Sequence, residues 1–125
     1  MASADYWQRG ETLDYINGTG AKINAGDILL LGDRLGVAGC DIPDGAAGSV
    51  HVTGVFKMPK DYGDSGKALA IGQAVYWDDT NGCIKAAVAQ EVSGGSVSTE
   101  ATPVHGYAAA PALTTDQTAY IKINA

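Results

Sequence analysis

His51, His105, Cys40 and Cys83 are the side chains of this 125-residue chain best suited to hold a soft metal ion or share in nucleophilic catalysis. Zinc sites draw such ligands in close pairs, as in C-x-x-C or H-x-x-x-H, so that one short piece of chain presets part of the tetrahedron. No two of these four residues stand that close, and no metal is expected. The two cysteines are expected to be reduced and partly buried. His51 lies between Val50 and Val52, which turns it to the opposite face of a strand from theirs. A solvated histidine is the expectation there.

Three other groupings invite chemistry and have plainer readings. Gly63-Asp64-Ser65-Gly66-Lys67-Ala68 echoes a phosphate-binding loop, yet that loop needs G-x-x-x-x-G-K-[ST]. Only two residues separate the glycines, and Ala68 stands where a magnesium-holding hydroxyl belongs. Asp78-Asp79 could be a carboxylate pair, but the following Asn81-Gly82 marks a turn in which acidic side chains accept local backbone N–H groups. The hydroxyl-rich residues 93–102 have only His105 near in sequence, and no G-x-S-x-G elbow is present. The expectation is a non-enzyme with no catalytic residue, no cofactor and no metal.

The elements that would carry these residues are short and glycine-punctuated. No stretch of helical length repeats apolar residues at helical spacing. Thr12-Leu13-Asp14-Tyr15-Ile16 alternates as a half-buried strand and ends in Asn17-Gly18. Residues 27–31 form a continuous apolar run, expected to be covered on both faces. Residues 73–77 and 83–88 flank a turn at 78–82 and predict a hairpin. Residues 67–71 could be one helical turn or extended, and 93–96 is the most linker-like run. Gly26-Asp27-Ile28-Leu29-Leu30 echoes Gly72-Gln73-Ala74-Val75-Tyr76, and Gly36-Val37-Ala38 echoes Gly106-Tyr107-Ala108. Two related β-units packed together would give a small barrel or sandwich. The predicted class is all-β, of about seven to ten short strands. Residues 1–11 form an extended N-terminal arm, and 12–125 a single β domain.

Composition limits the partners. Eight Lys+Arg against 14 Asp+Glu leave a net charge of −6, and the basic residues are scattered. Nucleic-acid affinity comes largely from Lys and Arg displacing counterions, so direct DNA or RNA binding is not expected. Neither a signal peptide nor an apolar run of membrane-spanning length is read in the sequence. Apolar residues make up 46%, much of it alanine, and 17 glycines add to the entropy lost on folding. So thin a core favours assembly with other copies or with a larger partner. Tyr6 and Trp7 lie in the polar arm with little nearby to pack against. Large aromatics so placed either anchor a partner or fold back as an edge strand. Asp5, Tyr6, Trp7, Gln8 and Arg9 are the candidate binding residues.

Over nearly its whole length the chain resembles small phage and prophage head proteins, the capsid cement or decoration proteins, some of which carry a predicted-recombinase label. The likeness rests on an ordered series. It comprises Tyr6/Gln8-Arg9-Gly10, Leu13-Asp14-Tyr15, Ala25-Gly26-Asp27, Leu35-Gly36-Val37-Ala38, Gly54-Val55-Phe56-Lys57-Met58-Pro59-Lys60, Gly72-Gln73-Ala74-Val75-Tyr76-Trp77-Asp78 and His105-Gly106-Tyr107-Ala108. Arg9 stands where the family commonly has Pro, and Gln73 where it has Asp. The recombinase label would require an ATP site that this sequence lacks. The resemblance implies a protein made in the host cytoplasm and added to the outer capsid surface of the virion. There it would bind the major capsid protein as a homo-oligomer, a trimer being favoured, through an N-terminal arm. The rival expectation is a phage surface or fibre-type module recognising a host glycan or protein through Asp61, Tyr62 or residues 93–102.

Overall fold

The computed structural model describes residues 2–124; Met1 and Ala125, the outermost positions of the two expected segments, lie outside the described residues. In chain order the strands are Thr12–Ile16 (β1), Ile28–Leu31 (β2), Arg34–Ala38 (β3), Ala47–His51 (β4), Val55–Pro59 (β5), Ala74–Asp78 (β6), Cys83–Ala86 (β7), Glu91–Ser93 (β8), Ser96–Thr99 (β9), Gly106–Ala108 (β10) and Thr118–Ile123 (β11). All strand pairs are antiparallel. One sheet has the order β1-β4-β3-β2, a second β5-β11-β10-β6-β7, and β8-β9 is a separate hairpin. The protein is therefore all-β and sandwich-like. The outer strands of the second sheet, β5 and β7, are not paired as a ladder and are joined beside β5 by the isolated Lys60–Ile84 bridge, so the sheet does not close into a barrel.

Strand alternation explains the core. Leu35 and Val37 on one face of β3 join Met58, Val75, Trp77, Ile84, Ile121 and Ile123 in the larger buried cluster. On the other face, Ala38 packs with Ile23, Ile42 and Val50 in a smaller one. Both faces of β3 are thus covered, one by the second sheet and one by the loops of its own.

The two sheets repeat one plan. Gly26 N–H donates to Ala38 O at 2.8 Å, and Gly72 N–H to Ala108 O at 2.7 Å. Ala38 N–H donates to Asp27 O, and Ala108 N–H to Gln73 O, both at 2.9 Å. The Ile23–Ile42 bridge has its counterpart in Leu69–Ala112. The pairing Ile28↔Val37 and Leu29↔Gly36 matches Ala74↔Tyr107 and Val75↔Gly106. β1, β4, β3 and β2 therefore correspond to β5, β11, β10 and β6. The second unit differs by an insertion, β7 to β9, between the counterparts of β2 and β3.

Buried Asn17 and Lys60 and half-buried Asn124 hold strand ends. Asn17 donates to Ala21 O at 2.7 Å and Ile42 O at 2.9 Å while accepting from Thr19 N–H at 2.9 Å. Its counterpart Lys60 is fully buried, donates to Asp61 O at 2.7 Å and pairs with the Asp61 carboxylate at 3.5 Å. Asn124 accepts from Leu35 N–H at 2.8 Å and donates to Val52 O at 2.8 Å, tying the C-terminus to the first sheet.

Two sequence expectations change, and one open alternative is resolved. Residues 28–31 form an outer strand with Leu30 43% exposed, so the run is not covered on both faces. A continuous apolar run does not distinguish a central strand from an outer one. Residues 93–96 are the tip of the β8–β9 hairpin, with Gly94 and Gly95 at φ 60 and 83. That pair of positive φ values makes the tight turn favoured between twisted strands. Of the two readings open for residues 67–71, the extended one holds through Ala70, with Leu69 bridged to Ala112, and Ile71 enters a turn with Gly72.

Candidate functional site

The arm residues precede β1 and take part in no strand. Tyr6 and Trp7 are each 82% exposed, Asp5 and Arg9 are exposed, and Gln8 is half-buried. The alternative in which Tyr6 and Trp7 fold back as an edge strand is not the one adopted. Gly10, at φ 80, turns the chain beside a groove of about 320 Å³ shared with Leu13, Leu31, Arg34, Val52 and Asn124. Val52 N–H then donates to Glu11 O at 3.0 Å, which begins the pairing of β1. The five candidate residues thus lie together on one exposed segment with a fixed root.

The residues with chemical potential are dispersed. His105 is buried, and its Nδ1 accepts Trp77 N–H at 2.9 Å. Burial pushes its pKa down, against a smaller opposing pull from Asp33. His51 is half-buried, its ring centroid 6.0 Å from that of Phe56. Cys40 is exposed and Cys83 half-buried, both free, and burial raises the Cys83 thiol. Among the described residues, no group of three or more His, Cys, Asp or Glu is placed to hold a metal.

The Asp78-Asp79 turn behaves as local turn chemistry requires. Asp78 accepts from Thr80 N–H at 3.1 Å and Asn81 N–H at 3.2 Å, and pairs with Lys85 at 2.8 Å. The bond from Lys85, then those from Asn81, hold its carboxyl well below the usual range. Asp79 accepts from Trp77 Nε1 at 3.1 Å. Gly63–Ser65 is a single 3-10 turn whose Gly63 N–H donates to Thr114 O at 3.1 Å. A Cβ at Gly66 would fall 2.5 Å from that carbonyl oxygen, so the loop packs tightly on the neighbouring chain. Asp61, half-buried, is engaged by Lys60, whereas Tyr62 stands exposed beside a groove of about 520 Å³. In residues 93–102, the side chains of Ser98 and Thr99 lie outside the described residues.

Sequence reasoning missed two exposed apolar features. On the β8–β9 hairpin, Val92 and Val97 pair across the strands and remain 63% and 46% exposed. The second is the outer edge of β2. Beside it, Gly26 to Leu29 face Phe56 to Pro59 across a groove of about 510 Å³ floored by Val37 and Trp77. The lack of any charge or proline in Ile28-Leu29-Leu30-Leu31 was the available signal for that edge.

A family model described as phage cement protein matches residues 7–123. No curated protein and no solved structure matches the chain.

Proposed function

We infer the role of this chain from its membership: it belongs to the phage cement protein family, a structural family of the phage capsid. We propose that it binds the outer surface of the assembled head and ties neighbouring major capsid subunits together, with no chemical step. Each copy then adds contact area between subunits, so that the shell better resists the outward pressure of packaged DNA.

The observation that carries the mode of attachment is the exposure of Tyr6 and Trp7 on an unpaired arm. A large aromatic side chain buries about 150–250 Å² when it docks, so the pair supplies about half of a standard interface's ~800 Å² per partner. Asp5, Gln8 and Arg9 flank them as polar contacts, and an extended segment of this kind can also add a strand to an exposed sheet edge on the capsid. The glycan-binding reading has less support, because Asp61 is already engaged by Lys60.

The test is to delete residues 1–10 and titrate the protein onto undecorated heads of its own phage. Binding should fall at least tenfold, with an unchanged far-UV spectrum and cooperative melting. Truncated protein that cosediments as well as the full chain removes the arm from the account.

A further inference from the structure

The internal repeat exposes a missing strand. In the second unit the outer side of β6 is covered by β7, and Ala87 N–H donates to Ala74 O at 2.9 Å. Ile28 is the counterpart of Ala74, and β2 has β3 as its one strand partner. The bond from Ala38 N–H to Asp27 O sets the phase of that ladder. Leu29 and Leu31 turn their backbone groups toward β3, and Ile28 and Leu30 turn theirs outward.

Exposed strand edges invite pairing, and proteins blunt them with charge or proline. Among the four outer strands of the two sheets, β1 carries Asp14, β5 carries Lys57 and Pro59, and β7 carries Lys85. β2 reads Ile-Leu-Leu-Leu and carries neither. Its edge opens on the groove of about 510 Å³ whose far wall includes Lys57 and Pro59. Pro59 has no N–H to offer a visiting strand, so pairing in that groove falls to β2.

We propose that the outer edge of β2 receives an extended segment of a capsid subunit as an added antiparallel strand, in the place that β7 fills in the other unit. This rests on the cement reading above. β7 indicates the chemistry of the visitor: Ile84, opposite Trp77, is fully buried, and Ala86, opposite Val75, is half-buried. Trp77 and Val75 correspond to Leu31 and Leu29, so the visiting strand presents alternate apolar residues to those two leucines. The occupant is a capsid subunit for a geometric reason. The arm leaves the first sheet at β1 and the vacant edge is β2, at the opposite side of the same sheet. In strand order three spacings separate β1 from β2, and the root of the arm meets that strand only at its Leu31 end, across the groove of about 320 Å³. A protein that tethers two neighbours needs two such separate attachments, one given and one received.

The experiment titrates the untruncated 125-residue chain and its Leu30→Lys variant onto undecorated heads, with backbone hydrogen exchange followed across residues 26–31. Leu30 is partly exposed, so the lysine restores an edge guard with little disturbance of the core. The expected result is binding at least tenfold weaker for the variant at an unchanged melting midpoint. In the unaltered protein, exchange in 26–31 should slow on heads. Equal binding by both proteins, with no slowing, overturns the added strand and leaves the cement reading standing. Failure of the unaltered protein to bind heads overturns both. Self-association in solution that Leu30→Lys abolishes assigns the edge to a second copy and overturns the capsid assignment.

Discussion

His105 occupies in the second unit the position that Leu35 holds in the first, and the exchange of an apolar for a titratable residue has a consequence. Its Nδ1 accepts the Trp77 amide proton inside the core, which requires the neutral ring. Burial is the main cause that lowers its pKa below the usual 6.5. The unfolded chain therefore takes up the proton first as pH falls. Stability from this group is complete above 6.5 and is lost as pH drops below it. The melting midpoint should fall between pH 7 and pH 5. His105→Gln keeps an acceptor for Trp77 and removes the titration, so the midpoint should become flat over that range. A slope that survives the substitution excludes His105 as its source. The sequence offered no route to this role, because residues far apart in the chain create it. The turn chemistry of Asp78, by contrast, was legible from its neighbours Asn81 and Gly82 alone.

At the scale of elements, legibility followed how local the signal was. Alternation gave β1 its bounds at Thr12 and Ile16, and the acidic turn gave the β6–β7 hairpin, because a few adjacent residues determine both. Burial of β2 was misjudged because which strand lies outermost is decided by pairings elsewhere. Residues 93–96 read as linker-like because Gly94-Gly95 between two short strands resembles flexible chain, whereas they are the turn of the β8–β9 hairpin. The repeat was visible through its glycines, and two of them have packing reasons. Gly36 and Gly106 hold equivalent places, and an added Cβ would strike Val50 Cγ1 in one case and the Lys122 carbonyl oxygen in the other. A valine methyl can move, whereas a paired backbone carbonyl cannot move without breaking its strand. Overpacking of this kind costs about 1–3 kcal/mol. Gly106→Ala should lie at the upper end and Gly36→Ala at the lower, as read from urea midpoints. The reverse order would show that Val50 yields less readily to an added methyl than the Lys122 carbonyl does, and would overturn this account.

The whole molecule exposes more surface than its mass calls for. A compact monomer of 12.8 kDa has about 6,300 Å² of accessible surface by the usual scaling. This chain exposes 7817 Å². The surplus on one chain, about 1,500 Å², is roughly twice the ~800 Å² that one partner gives to a standard interface. Its visible sources are the unpaired arm, the β8–β9 hairpin and apolar side chains such as Ile16, Ile71 and Leu113, each at least two-thirds exposed. Such surface is stable in water only at a cost, and association that buries it would stabilise a core built from so few large residues. We therefore expect the isolated protein to associate, three copies being the number that the resemblance to decoration proteins implies. Light scattering between about 1 and 100 µM should show a mass rising toward three times 12.8 kDa. Threefold clusters should also appear where the protein sits on heads. A mass fixed at one copy over that range, together with single isolated copies on the shell, would show that capsid subunits alone cover the surplus.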